Sequence, residues 1–183
     1  MVNLKKIVVV FLPLDERNNL DTGLTKLEQV AYQYYIIVFS SEMRDLLAEL
    51  ANSCPEESFI LQIVSHGNCD YFGSTYEDRI EYSEITETLR NINQRAKNGL
   101  ILNLMTVCCS VHQLNFFNES ERKIFHKLIG SMKGSAVHGS IIHSIKINNT
   151  PYQLLETEIS YLNDDLNDYY SKQIPETHTY RVI

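Results

Sequence analysis

The chain has 183 residues, of which 44% are hydrophobic and 21% charged, with a formal net charge of −7. That length supports one domain over residues 1–183 with a core of its own, and with only 7 Gly and 4 Pro no segment is biased towards a disordered linker. The acidic balance argues against a nucleic-acid surface, because the 16 Lys and Arg are scattered, and no stretch approaches the roughly 20 apolar residues of a membrane span.

Residues 6–12 are apolar and β-branched and predict a first strand rather than a targeting signal, since Pro13 and Asp15-Glu16-Arg17 follow in place of small residues. A polar stretch then runs as a loop into a helix around residues 22–33, and Tyr34-Tyr35-Ile36-Ile37-Val38-Phe39 predicts a second strand. Ser40 or Ser41 caps the next helix, which runs to about Asn52 with Met43, Leu46, Leu47 and Leu50 at helical spacing. The third strand is expected over 58–64, and Tyr71-Phe72-Gly73 with Arg79-Ile80-Glu81-Tyr82 predicts a small hairpin. A helix capped by Ser83 carries Ile85, Leu89 and Ile92 to a stop at Asn98-Gly99. The fourth strand begins at Leu100 and continues to Val107. Beyond it a helix is expected over 119–132, a fifth strand over 136–147, a last helix over 151–170 and a short strand over 179–183. Strands alternating with helices along the whole length predict an α/β fold, a three-layer α/β/α sandwich with a mainly parallel central sheet.

Two of these apolar runs end in reactive side chains. Phe59-Ile60-Leu61-Gln62-Ile63-Val64 stops at Ser65-His66-Gly67, and Leu100-Ile101-Leu102-Asn103-Leu104-Met105-Thr106-Val107 stops at Cys108-Cys109-Ser110. In a parallel sheet, ligands and chemistry gather outside the carboxyl ends of the strands, so an imidazole and a thiol are expected at one edge. A thiol becomes nucleophilic when an imidazole raises its thiolate fraction, which makes cysteine hydrolase chemistry the reading to test first. Gly67 beside the histidine has no Cβ, so its N–H can turn towards a substrate carbonyl oxygen; the second oxyanion donor would be the nucleophile's own N–H.

The four cysteines, at 54, 69, 108 and 109, lack paired-CxxC spacing. Adjacent Cys108 and Cys109 are badly placed for a disulfide. No metal or cofactor is expected, and the cysteines are read as reduced thiols of a cytoplasmic protein. His138 and His143, five apart in the expected fifth strand, would face opposite sides and hold no metal. His112 lies past the fourth strand, where a solvated surface role is expected.

The residues Ile63-Val64-Ser65-His66-Gly67, Tyr71-Phe72-Gly73, Arg79-Ile80, Ser83-Glu84-Ile85 and the run from Leu100 to Ser110 resemble the core of the caspase-like (clan CD) cysteine peptidases, most of all the CHAT branch. The likeness covers roughly residues 58–112. It implies a cysteine endopeptidase with a His66–Cys108 dyad, acting on a protein or peptide substrate and switched on by a regulatory protein partner or ligand in a defence or cell-death pathway, such as antiviral defence. It also places Cys108 at the nucleophile and Ser110 at the family's following serine, with Cys109 as the competing sulfur. Where family members that cut after Arg or Lys carry an acid two residues before the nucleophile, this chain has Thr106, which weakens a preference for basic residues.

Cys69, Asp70, Thr106, Cys109 and Ser110 are the expected neighbours of the cleft, with Asp15 a further source of negative charge and Phe116-Phe117 an apolar loop able to line a groove or dock a partner. Each residue alone has a plainer reading, a packed thiol or a hydrogen-bonded turn histidine, and only their pairing favours chemistry. The competing functional class is a catalytically silent caspase-like interaction module. A flavodoxin-like nucleotide-binding domain ranks last, because Leu12-Pro13-Leu14-Asp15-Glu16 offers no glycine for a phosphate loop.

Overall fold

A computed structural model describes residues 4–53, 59–110, 124–131, 137–155, 157–160, 162 and 180–182. One sheet holds eight strands, the long central ones built from β-branched and aliphatic runs: β1 (Lys5–Phe11), β2 (Gln33–Ile37), β3 (Phe59–Gly67), the short β4 (Tyr71–Gly73) and β5 (Arg79–Glu81), β6 (Leu100–Leu104), β7 (Lys127–Ser131) and β8 (Tyr180–Val182). The main order is β2-β1-β3-β6-β7-β8. All these neighbours pair in parallel except β7 with β8, which run antiparallel.

Alternate residues of each central strand face opposite sides of the sheet and feed three hydrophobic clusters. Ile7, Val9 and Phe11 of β1, Phe59, Leu61 and Ile63 of β3, and Leu100, Leu102 and Leu104 of β6 face one side, under α3 (Ser40–Ser53) and α4 (Tyr82–Arg95). Val8 and Val10 face the other side with Leu24 and Leu27 of α2 (Asp21–Val30) and Ile141 of α5 (Val137–Asn149). On that same side Ile60, Ile101 and Ile129 meet Ile147, Leu155, Ile159 and Leu162. The result is an open, mostly parallel sheet with helices on both faces. Among the described residues, no helix is long and apolar enough to cross a membrane.

Buried amides cross this greasy interior. Asn103 Nδ2 donates to Gln62 Oε1 at 2.9 Å, and Gln62 Nε2 donates to Ser144 Oγ of α5 at 3.0 Å. The Met105 N–H donates to Asn103 Oδ1 at 3.1 Å, which ties the bridge to the point where β6 ends. Gln62 and Asn103 are register partners in the β3–β6 ladder.

Several expectations need correction. The polar stretch after β1 is not a loop: it forms α1 (Leu14–Asn19), entered through Pro13 and carrying Asp15 and Glu16 in its first turn, and α2 then ends at Val30. β2 ends at Ile37, and β3 does not stop at Val64 but continues through His66 to Gly67. The helix after the hairpin is capped by Glu81, in a reciprocal capping box with Glu84, rather than by Ser83. It ends before Gly99, whose φ of +84° only glycine adopts freely.

The largest reversal lies beyond the cysteines. Residues 127–131, expected to be helical, form β7, and residues 137–147 of the expected fifth strand lie in the helix α5, which runs on to Asn149. His143 and His138 therefore lie on a helix, about 140° apart around its axis, and among the described residues no group of His, Cys, Asp and Glu could hold a metal ion. Tyr152–Leu154 is a single 3₁₀ turn, after which residues 155, 157–160 and 162 are helical. Cys54, His112, Phe116, Phe117 and the expected helical segments 119–123 and 163–170 lie outside the described residues.

Candidate active site

β3 and β6 are adjacent parallel strands, so their carboxyl ends deliver His66 and the cysteine turn to the same edge of the sheet. The two ends are built differently. β3 overshoots its partner and turns its last residues into an antiparallel ladder with β4, His66 opposite Gly73 and Gly67 opposite Phe72. The Ser65 hydroxyl fastens this extension by donating to the Gly73 carbonyl at 2.9 Å. The strand thus holds His66 as a stiff, half-exposed post.

β6 stops at Leu104, and residues 105–110 are turns. The Val107 N–H returns to the Leu104 carbonyl at 3.0 Å, and the buried Ser110 hydroxyl donates to that same carbonyl at 2.9 Å while accepting the Ser131 N–H of β7 at 2.8 Å. Cys109 has φ of +55°, in the left-handed region that side chains other than glycine's rarely adopt. Cys108 and Cys109 therefore do not alternate as strand residues, and the choice between them is set by the turn rather than by a pleat.

The two ends are locked together. The buried Thr106 hydroxyl donates to the Ile63 carbonyl at 2.9 Å and accepts the Ser65 N–H at 3.3 Å. A Cβ on Gly67 would stand 2.5 Å from Val107 Cγ1 and 2.5 Å from the Tyr71 carbonyl oxygen, so the cysteine turn and the β3–β4 turn meet across a gap that only glycine fits. This steric requirement is an independent reason for glycine beside His66. Thr106 and Ser110, expected at the cleft, are buried braces that spend their hydroxyls on backbone.

His66 has a partner that the sequence reading missed. Its Nε2 lies 2.6 Å from Glu16 Oε2 on α1, with both side chains partly exposed. A carboxylate only accepts, so the contact is an Nε2–H donated to Glu16, a tautomer that in a neutral ring leaves the lone pair on Nδ1. Acidic residues in the first turn of a helix after strand one were the signal available for Glu16, hidden because that stretch reads as a loop.

Three half-buried thiols sit in the two turns: Cys69, Cys108 and Cys109. Burial pushes the Cys109 thiol above the ordinary thiol range; the neighbouring Cys69, through charge and a side-chain hydrogen bond, and Cys108, through charge, act in the same direction. Cys109 is thus held protonated, the state opposite to that of an activated nucleophile. Cys69 rides in a turn pinned by Asn68, whose side-chain oxygen accepts the N–H groups of Asp70 at 2.7 Å and Tyr71 at 3.1 Å. Asp70 and Asp15 are exposed.

No protein-family model matches this chain, and no curated protein matches it.

Proposed function

We propose that the protein is a cysteine endopeptidase of caspase-like, CHAT-type architecture, with Cys108 as nucleophile and His66 as acid and base. The observation that carries this reading is the shared edge: His66 ends β3, the cysteine turn follows β6, and the two strands are neighbours in one parallel sheet. Glu16, absent from the resemblance, is the group that orients the imidazole.

With Nε2–H committed to Glu16, Nδ1 is the atom that takes the Cys108 proton. The thiolate attacks the scissile carbonyl carbon, and the N–H groups of Gly67 and Cys108 hold the oxyanion. Protonated Nδ1 then gives its proton to the leaving amine, the thioester forms, and water activated by the same nitrogen hydrolyses it. The depressed acidity of Cys109 supports Cys108 as the reacting sulfur. The reading belongs to a reducing compartment such as the cytoplasm, and to an enzyme that awaits a protein partner or ligand in a defence or cell-death pathway.

The test is cleavage of a peptide library, with candidate partners present, by the wild type and by Cys108→Ala, Cys109→Ala, His66→Ala and Glu16→Gln. Cys108→Ala and His66→Ala are expected to lose activity by about 10⁴-fold or more, Glu16→Gln by about 10–100-fold, and Cys109→Ala by little. Full activity in Cys108→Ala with loss in Cys109→Ala would move the nucleophile by one residue. Silence of the wild type throughout would favour a catalytically silent interaction module, a reading supported by the exposed apolar edge of Tyr32, Ile36 and Phe39 around β2.

A further inference from the structure

His66 pairs with Gly73 across the β3–β4 ladder, and Gly73 pairs with Arg79 across the β4–β5 ladder. Residues opposite one another in a sheet face the same side, so His66 and Arg79 share a face, two strand spacings or about 10 Å apart at the backbone. The other face of this ribbon is the buried one, where Phe72 stands opposite Ile80. A Cβ on Gly73 would lie 2.4 Å from the Asp78 carbonyl oxygen and 2.7 Å from Arg79 Cα, so the middle of the row is closed to any side chain. The row therefore carries an imidazole at one end and a guanidinium at the other.

Arg79 is held in an aromatic corner. Its guanidinium carbon sits 4.8 Å from the ring centroid of Tyr71 and 4.3 Å from that of Tyr76. The two rings meet edge to face at 85° and wall two sides of the cation. The loop that carries Tyr76 is itself fixed: the Asp78 N–H donates to Thr75 Oγ1 at 3.0 Å, Ser74 Oγ donates to the Val38 carbonyl at 2.9 Å, and Asp78 Oδ1 accepts the Ser40 N–H at 3.0 Å. Ring faces attract a cation but are poor acceptors for its N–H groups. Among the described residues, Arg79 pairs with the Glu81 carboxylate at 3.9 Å, longer than a hydrogen bond, and the Glu81 side chain already accepts the Glu84 N–H in the capping box of α4. The Arg79 side chain is 29% exposed, so a ligand can reach a fork whose orientation is set before it arrives.

We propose that Arg79, flanked by Tyr71 and Tyr76, is a specificity-determining subsite that binds one carboxylate of an extended peptide, an Asp or Glu side chain roughly two to four residues from the scissile bond. That position rests on the peptidase reading, because His66 marks the scissile end of the row. An extended chain advances about 3.3 Å per residue, so about 10 Å is three residues, and the reach of the two side chains adds one either way. A planar guanidinium offers parallel N–H groups to both oxygens of a carboxylate, which an uncharged amide of the same shape accepts more weakly. The net charge of −7 repels an acidic tract at long range, so the site suits a single acid met at contact.

The experiment cleaves peptides that carry Glu or Gln at each position in turn on either side of the scissile bond, with candidate partners present. The wild type is expected to prefer Glu over Gln by about 10-fold or more in kcat/KM at one position within that range. In Arg79→Gln the ratio falls to about 1, in Arg79→Glu the same position turns to favour Lys, and in Tyr76→Ala, at a residue 72% exposed, the ratio falls part of the way. Equal rates for Glu and Gln at every position, or a preference that survives in Arg79→Gln, overturn the proposal. A chain that cleaves nothing is read by binding instead: the intact, ¹⁵N-labelled Cys108→Ala chain is titrated with N-acetyl-Ala-Glu-Ala-amide and with its Gln counterpart, and the Arg79 Nε–H and Tyr76 backbone N–H resonances are followed. A saturating shift with the Glu peptide alone, absent at Tyr76 in Arg79→Gln, supports the site; equal shifts with both peptides, or none, overturn it. Cleavage without a Glu preference removes the subsite and leaves the peptidase reading, whereas Glu-selective binding without cleavage does the reverse.

Discussion

The two strand ends that meet at the candidate site solve the same task by opposite means. β3 carries His66 on extended backbone, stiffened by a second ladder with β4, whereas β6 breaks off at Leu104 and delivers its thiols from a turn that contains a left-handed residue. On the β3 side, direction follows from strand alternation, so a one-residue slip would reverse it. On the β6 side, direction is set by turn dihedrals and hydrogen bonds from Thr106 and Ser110, and two adjacent cysteines can reach environments that a pleat would not give them. A ladder presents one residue rigidly; a pinned turn can present two.

The sharpest way to break this contrast is to loosen the turn at its root. Asn103→Ala leaves the fully buried Gln62 Oε1 and the Met105 N–H without their partner and opens a cavity, and is expected to cost about 3–4 kcal/mol in urea unfolding. Next comes the contact between the two ends. Gly67→Ala drives a Cβ into the Tyr71 carbonyl oxygen and Val107, and a loss of about 2–3 kcal/mol is expected in the same assay. If Gly67→Ala proves neutral, the two turns are not in fact wedged together.

A smaller effect isolates the left-handed residue. Because glycine adopts φ of +55° without a Cβ penalty, Cys109→Gly is expected to be about 1 kcal/mol more stable than Cys109→Ala. The ladder end offers no such site, since among described residues outside glycine only Cys109 has positive φ.

The smallest effect is a pH dependence. Burial raises the Cys109 pKa in the folded chain, so the folded state keeps a proton that the unfolded state releases first. Its contribution to stability is present below the ordinary thiol pKa and is lost as pH rises through the folded value. Tyr34, pushed up to about 12 chiefly by burial, bends the alkaline limb in the same direction. The difference between wild type and Cys109→Ala, followed by urea midpoints from neutral pH to above the thiol range, is therefore expected to shrink as pH rises.

The edge where these ends meet was legible in the sequence because it is written in long apolar runs. β1 and β3 announce themselves by β-branched residues, β6 by its leucine-rich apolar run, α3 by its leucine spacing, and the stop before β6 by Gly99, and their order along the chain places His66 and the cysteines at one edge. The reversal over 127–149 has a physical cause. Ile141, Ile142, Ile145 and Ile147 favour a strand by composition, yet Ile141 and Ile147 are buried while Ile142 is about half exposed, the pattern of a helix packed on one side. Buried Ser140, Ser144 and Asn148, four apart, carried that period and were outweighed by the β-branched content. Glu16 was missed for the opposite reason. A six-residue helix with no buried residue leaves no hydrophobic pattern to find, and its meeting with His66 depends on tertiary placement alone.

The amide bridge between Gln62 and Asn103 tells right from almost right. Sliding β6 against β3 by two residues would keep every aliphatic face matched, and hydrophobicity would accept the error. It would also part Asn103 Nδ2 from Gln62 Oε1 and leave a buried donor and a buried acceptor without each other, at a penalty of about 1–3 kcal/mol for each. Grease therefore decides that these strands associate, and a pair of amides decides at what offset. Since the imidazole and the thiols ride on the far ends of those same strands, that offset sets how level they stand.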